Sequence, residues 1–167
     1  MRSRSTARIA SAGYSVVELV ILVFVISILS AMSFPMYLSY HRAQETDGAA
    51  RTIVTALNHA RQLAITRGVS YSVVTETAPN NRMQSTCVVG PQCPTSPWTG
   101  AGTDGAGWRT LENASRIVLG PTITFSSLGA ATASGTLRVQ NSSLTGCLDV
   151  VVSPSGRIRV TAAGSCP

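Results

Sequence analysis

From Val16 to Leu38 the chain is apolar at almost every position, interrupted by three serines, one charge (Glu18) and one helix breaker (Pro35). At ~1.5 Å per residue this run is long enough to cross a hydrocarbon layer ~30 Å thick. From Met36 to about Arg67 the pattern becomes amphipathic. Ala43, Ala50, Ile53, Leu57, Ala60 and Ala64 fall near one stripe, while Arg42, Glu45, Arg51 and Arg61 lie off it. Pro35 is expected to kink the helix rather than end it, because apolar periodicity resumes at once, and Gly68 is a natural C-cap. The pattern predicts one long, bent helix over 14–67, roughly 80 Å from end to end. Its first part (14–38) belongs in a membrane or a filament core, and its second (39–68) packs on a head.

Past Gly68 the period shortens. Val69–Glu76 is rich in Val, Ser, Thr and Tyr, and further strand signals stand at 116–119, 122–126, 136–140, 147–153 and 157–161. Turns of Gly, Asn and Pro separate them, which favours antiparallel pairing. Residues 78–107 read as a loop dense in Pro, Gly, Ser and Thr. One helix followed by strands is the α+β arrangement, with a β-rich globular head over 69–167.

Composition changes this picture little. Charged residues make up 12% of the chain and aromatic residues 5%, which is too few charges for a disordered polyelectrolyte. The formal net charge is +6, and half of it comes from Arg2, Arg4 and Arg8 ahead of the apolar run. Those arginines orient the N-terminal flank to the cytoplasm and send the body across the membrane. If the flank is a removable leader, the pI of about 9.8 is weak support for nucleic-acid binding by the rest.

Chemistry of the catalytic kind does not emerge. His41 and His59 lie apart on the helix, and no serine stands in a nucleophile motif. Gly100, Gly102 and Gly105 have dinucleotide-fingerprint spacing, but Pro97-Trp98-Thr99 precedes them where a strand is needed. No enzyme, no cofactor and no metal site is expected. Four cysteines in a body carried out of the cytoplasm favour disulfides over zinc, since Cys-x5-Cys lacks finger-like spacing. Three connectivities are open. The local one is preferred, with Cys87 and Cys93 closing a short loop and Cys147 and Cys166 tying the tail to a strand.

Gly156-Arg157-Ile158-Arg159 stands out. On a strand, residues two apart share a face and lie ~7 Å apart, close to the phosphate repeat of an extended nucleic-acid strand. Arg157 and Arg159 could then grip successive phosphates, with Gly156 permitting the turn and a close backbone approach. Two such contacts bind weakly, so a further arginine is needed, and Arg138 or Arg116 is the expected source. The plain alternative is a solvated strand with its arginines outward and Ile158 and Val160 inward.

The N-terminal segment carries a resemblance. A small-residue site, Ala12-Gly13, precedes the apolar run, the aromatic Tyr14 follows it, and Glu18 and Pro35 are the fifth and twenty-second residues counted from Tyr14. This constellation resembles the type IV pilin superfamily. The resemblance implies that a prepilin peptidase cuts after Gly13, that Tyr14 is methylated, and that Glu18 pairs with the amine of a neighbouring pilin subunit. It also implies an inner-membrane precursor with a single pass, a cytoplasmic N-terminus and a periplasmic head, which later enters a pilus or pseudopilus. A carboxylate in apolar surroundings sets register more than it adds stability.

Residues 60–68, Ile123-Thr-Phe-x-x-Leu-Gly129 and 152–160 are similar to the FimT/GspH group of minor pilins and pseudopilins. The likeness implies the pilin fold and a minor type IV pilin that binds DNA through its Gly-Arg-x-Arg motif during natural transformation. A type II secretion pseudopilin, acting in protein export, is the alternative it implies.

Overall fold

The computed structural model describes residues 15–88, 90–111 and 115–166, and of Met32 and Pro35 the backbone alone. Helix α1 runs over Val16–Arg67 and is followed by β1 (Tyr71–Glu76), β2 (Arg82–Cys87), β3 (Trp108–Thr110), β4 (Arg116–Leu119), β5 (Ile123–Phe125), β6 (Ala131–Ala133), β7 (Gly135–Gln140), β8 (Cys147–Val152) and β9 (Ile158–Ala162). The chain is α+β, and it divides into two units that meet between Ser39 and Tyr40.

In the second unit the strands form two antiparallel sheets, ordered β3-β2-β1-β5-β6 and β4-β7-β8-β9. The chain leaves the second sheet for the first at Gly120-Pro121, where the Thr75 hydroxyl donates to the Gly120 carbonyl at 2.6 Å. Ala50, Ile53, Leu57, Ala60 and Ala64 of the helix are fully buried. They share one core with Tyr71, Val73, Met83, Ile123 and Phe125 of the first sheet and Ile117, Leu137, Val139, Val150 and Val152 of the second. Five of the helical residues in that core, Ala49, Ala50, Ala56, Ala60 and Ala64, are alanines, and their small side chains let the helix axis approach the sheets closely. Ala43, expected on the same stripe, stays exposed, because burial of the helix begins at Thr46.

The segment 78–107 is not loop throughout. Residues 82–87 form β2, paired with β1 from Tyr71↔Cys87 to Glu76↔Arg82. Its inward side chains are Met83 and Ser85, so a single large apolar residue carries the alternation. The remainder of the segment returns over the head, with Trp98 N–H bonded to the Ser85 carbonyl at 3.1 Å. Strands β3 and β6 carry no strand signal in the sequence either, being three residues each.

Candidate functional site

The first unit supplies one candidate surface. Gly13 and Tyr14 lie outside the described residues, and α1 starts just beyond them with the Leu19 amide bonded to the Ser15 carbonyl at 3.1 Å. Glu18 stands exposed in the first turn, where the helix dipole favours a carboxylate. Around it the large apolar side chains are uncovered on every side of the helix: Val16 is 79% exposed, Phe24 65% and Leu29 60%. Ser27 and Ser33 do not interrupt this surface, because each hydroxyl donates to a carbonyl one turn earlier, that of Val23 and of Leu29. No single helix among the described residues is long and apolar enough to cross a membrane. Val16–Ala31 and Met36–Arg67 pass that test together, and the interruption between them includes Pro35.

The second candidate surface is the outer face of the four-stranded sheet. Cross-strand pairing sets Arg138 opposite Asp149 and Arg159 opposite Val151, so both arginines point away from the face of Leu137, Val139, Val150 and Val152. Their fates differ. Arg138 is clamped: Nε and Nη2 donate to the two carboxylate oxygens of Asp149 at 2.7 and 2.8 Å, and Nη1 donates to the Ser165 carbonyl at 3.0 Å. The bidentate bond from Arg138 holds the Asp149 carboxyl below its usual range, against the opposing effect of partial burial. Arg138, expected as a further phosphate donor, is thus engaged within the chain by Asp149 and Ser165. Arg116 sits on β4 at the far edge of the sheet, three strands from β9, or ~14 Å, and is not brought to the motif.

Arg157 and Arg159 are exposed and have no side-chain hydrogen bond or ion pair among the described residues. Arg159 lies on β9, an edge strand, and Arg157 in the turn before it. Val160, expected inward, is 41% exposed, because the edge leaves it no neighbour on one side.

Gly156 permits the turn before β9, as its place in the motif suggested. It adopts φ +77°, and a Cβ there would collide with the Gly129 carbonyl oxygen. The close approach is thus to the protein's own chain. Two turns are locked together at this point. Within one, Gly156 N–H bonds the Ser153 carbonyl at 2.8 Å, and Ala131 N–H crosses to the Pro154 carbonyl at 2.9 Å. The Arg61 Nε of α1 donates to the same Gly129 carbonyl at 2.9 Å. The sequence pattern puts Arg61 off the apolar stripe and gives it no partner; the paired glycines are the available signal.

The cysteines form the bonds Cys87–Cys93 and Cys147–Cys166, with Cα–Cα distances of 5.6 and 5.7 Å. None of the four retains a thiolate for a metal. His59 packs its ring 4.0 Å from that of Trp98. Burial first, then Arg109 and Arg67, push its pKa down, so it is neutral at neutral pH.

Residues 49–156 match the family described as type II transport protein GspH. Among solved structures, the chain is similar to the type IV minor pilin FimU of Pseudomonas aeruginosa, at 18% identity and a TM-score of 0.53 over 77% of this chain and 96% of that one. It is equally similar to the minor pseudopilin EpsH from the type 2 secretion system of Vibrio cholerae, at 16% identity and a TM-score of 0.53 over 72% of this chain and 99% of that one. No curated protein matches in sequence. The family and these neighbours are structural pilins rather than enzymes, and the shared fold is a long helix carrying antiparallel sheets.

Proposed function

The chain belongs to the type II transport protein GspH family of minor pilins and pseudopilins, and from that premise we propose that it is a minor subunit of a type IV pilus. In this reading a prepilin peptidase removes residues 1–13 on the cytoplasmic side of the inner membrane and Tyr14 is methylated. The helix over 14–38 anchors the single-pass precursor with its head in the periplasm, then moves into the filament core. The observation that carries this is the helix apolar on all sides from Val16 to Leu38, interrupted by the carboxylate of Glu18. Lipid covers such a surface before assembly and neighbouring helices cover it afterwards. Glu18 then takes the amine of a neighbouring subunit as its partner, which sets axial register. Glu18→Ala should leave membrane insertion intact and reduce the amount of this chain recovered in sheared pili. Equal recovery of mutant and wild type contradicts the assembly role.

The head captures DNA in the same reading. Its support is a pair of arginines unpartnered among the described residues, Arg159 on the edge strand β9 and Arg157 in the turn before it, while Arg138 of the same sheet is neutralised by Asp149. The full-length protein in detergent should bind DNA in a salt-sensitive, sequence-tolerant way. Arg157→Gln combined with Arg159→Gln should abolish the gel shift, and an unchanged shift removes both residues from the account.

A pseudopilin of type II secretion is the second reading, supported by the family description and by a likeness to EpsH equal to that for FimU. In that case the head contacts other pseudopilins or a secreted protein. Recovery of the chain with a secretion apparatus, in place of surface pili, favours it.

A further inference from the structure

Arg61 belongs to no ion pair among the described residues. Asp47, Glu76 and Asp149 engage Arg51, Arg82 and Arg138, and none of them reaches Arg61, Arg157 or Arg159. Its Nε–H bond to the Gly129 carbonyl uses one of five guanidinium hydrogens and leaves four on the two Nη atoms. A carbonyl fixes the position of a guanidinium without cancelling its charge. That position matters, because a Cβ on Gly156 would lie 3.3 Å from Arg61 Nε. The charge on the helix therefore lies beside the residue that precedes Arg157, one Cα step of ~3.8 Å from it.

The surroundings hold it there. Gly129 at φ +81° and Gly156 at φ +77° come from turns joined through Ala131 and Pro154, and Arg61 is half-buried against both. A guanidinium that is anchored at Nε, bare at Nη and without a carboxylate partner is prepared for an external anion.

We infer that Arg61 is a third phosphate ligand, supplied by α1 and set by the Gly129 carbonyl to share a phosphodiester backbone with Arg157 and Arg159. This rests on the reading of those two arginines as a DNA grip and supplies the extra contact that two arginines alone lack. It also gives the glycine of the Gly-Arg-x-Arg motif a function: by leaving room for the Gly129 carbonyl, Gly156 brings the helix cation to the strand cations.

The test is a salt series with the full-length protein in detergent and a labelled DNA duplex of mixed sequence. Arg61→Gln should lower the slope of log affinity against log salt by about 0.9, the share of one phosphate. An unchanged slope, with the slope still lost in Arg157→Gln/Arg159→Gln, overturns the role of Arg61 and leaves the grip standing. No salt-dependent binding by the wild type overturns both. Should Arg61→Gln fail to fold, phenylglyoxal modification of the wild type, read by peptide mass spectrometry, decides the matter. DNA should protect Arg61 along with Arg157 and Arg159 while exposed Arg42 stays reactive; Arg61 reactivity indifferent to DNA overturns the inference.

Discussion

Before Ser39, α1 carries Ile21, Leu22, Phe24 and Leu29 at 50–65% exposure; after Tyr40 its inward face is Ala50, Ile53, Leu57, Ala60 and Ala64, all fully buried. Both halves are apolar, but the residues differ in size and in arrangement. The second half gathers its buried apolar residues in one stripe and keeps most of them small, so that two sheets of the same chain can close on it. The first half spreads large, exposed side chains around the whole circumference. An amphipathic stripe points to a partner within the chain, and an all-round apolar helix to surroundings supplied from outside it.

The comparison breaks most sharply with one substitution in each half. Leu57→Ala removes a fully buried side chain and should lower the stability of the head by about 3 kcal/mol, whereas Leu22→Ala should change it by less than about 0.5 kcal/mol. Denaturant unfolding in detergent, followed by the fluorescence of Trp98 and Trp108, measures both. Similar losses from the two variants would remove the distinction drawn between the halves.

A second variant asks how firmly the helix is tied to the turns of the sheets. Gly156→Ala meets both a left-handed backbone and the Gly129 carbonyl, and should cost about 2–3 kcal/mol in the same unfolding assay. A neutral result would mean that the turns separate without penalty and that Arg61 is not held beside Gly156.

The smallest effect concerns the clamp on the outer sheet face. Arg138 depresses the folded pKa of Asp149 from its ordinary 3.8, so folding favours the ionised carboxylate. The contribution is fully present above that ordinary value and is lost as pH falls through the depressed one. Wild type should therefore unfold at higher denaturant than Asp149→Asn at pH 7, and the gap should close progressively below pH 3.8. A gap that persists in acid would assign the stabilisation to packing instead of charge.

Much of this architecture is legible in the sequence. The period of the apolar residues reveals α1, its buried stripe and the change to strands after Gly68, because burial acts on every turn of a helix and every second residue of a strand. Strand β2 escapes because Met83 is its one large apolar residue and Ser85 fills the next inward position. The division into two sheets escapes too, since it depends on which strands pair, and β1 takes β5 as a neighbour across nearly fifty residues. At the candidate interface, Arg157 and Arg159 are legible as a motif. The engagement of Arg138 is not, because it requires the register that sets Asp149 opposite. Arg61 is hidden for the same reason: its carbonyl partner Gly129 is 68 residues away in sequence.

The central claim is that an apolar helix with one carboxylate near its start loses its leader and then passes from lipid to burial among other subunits. Mass spectrometry of this chain isolated from sheared surface filaments tests it directly. The account predicts a polypeptide that begins at Tyr14 with a methylated amine. A chain still beginning at Met1, or one cut beyond Leu38 so that Glu18 and the apolar run are gone, would contradict it.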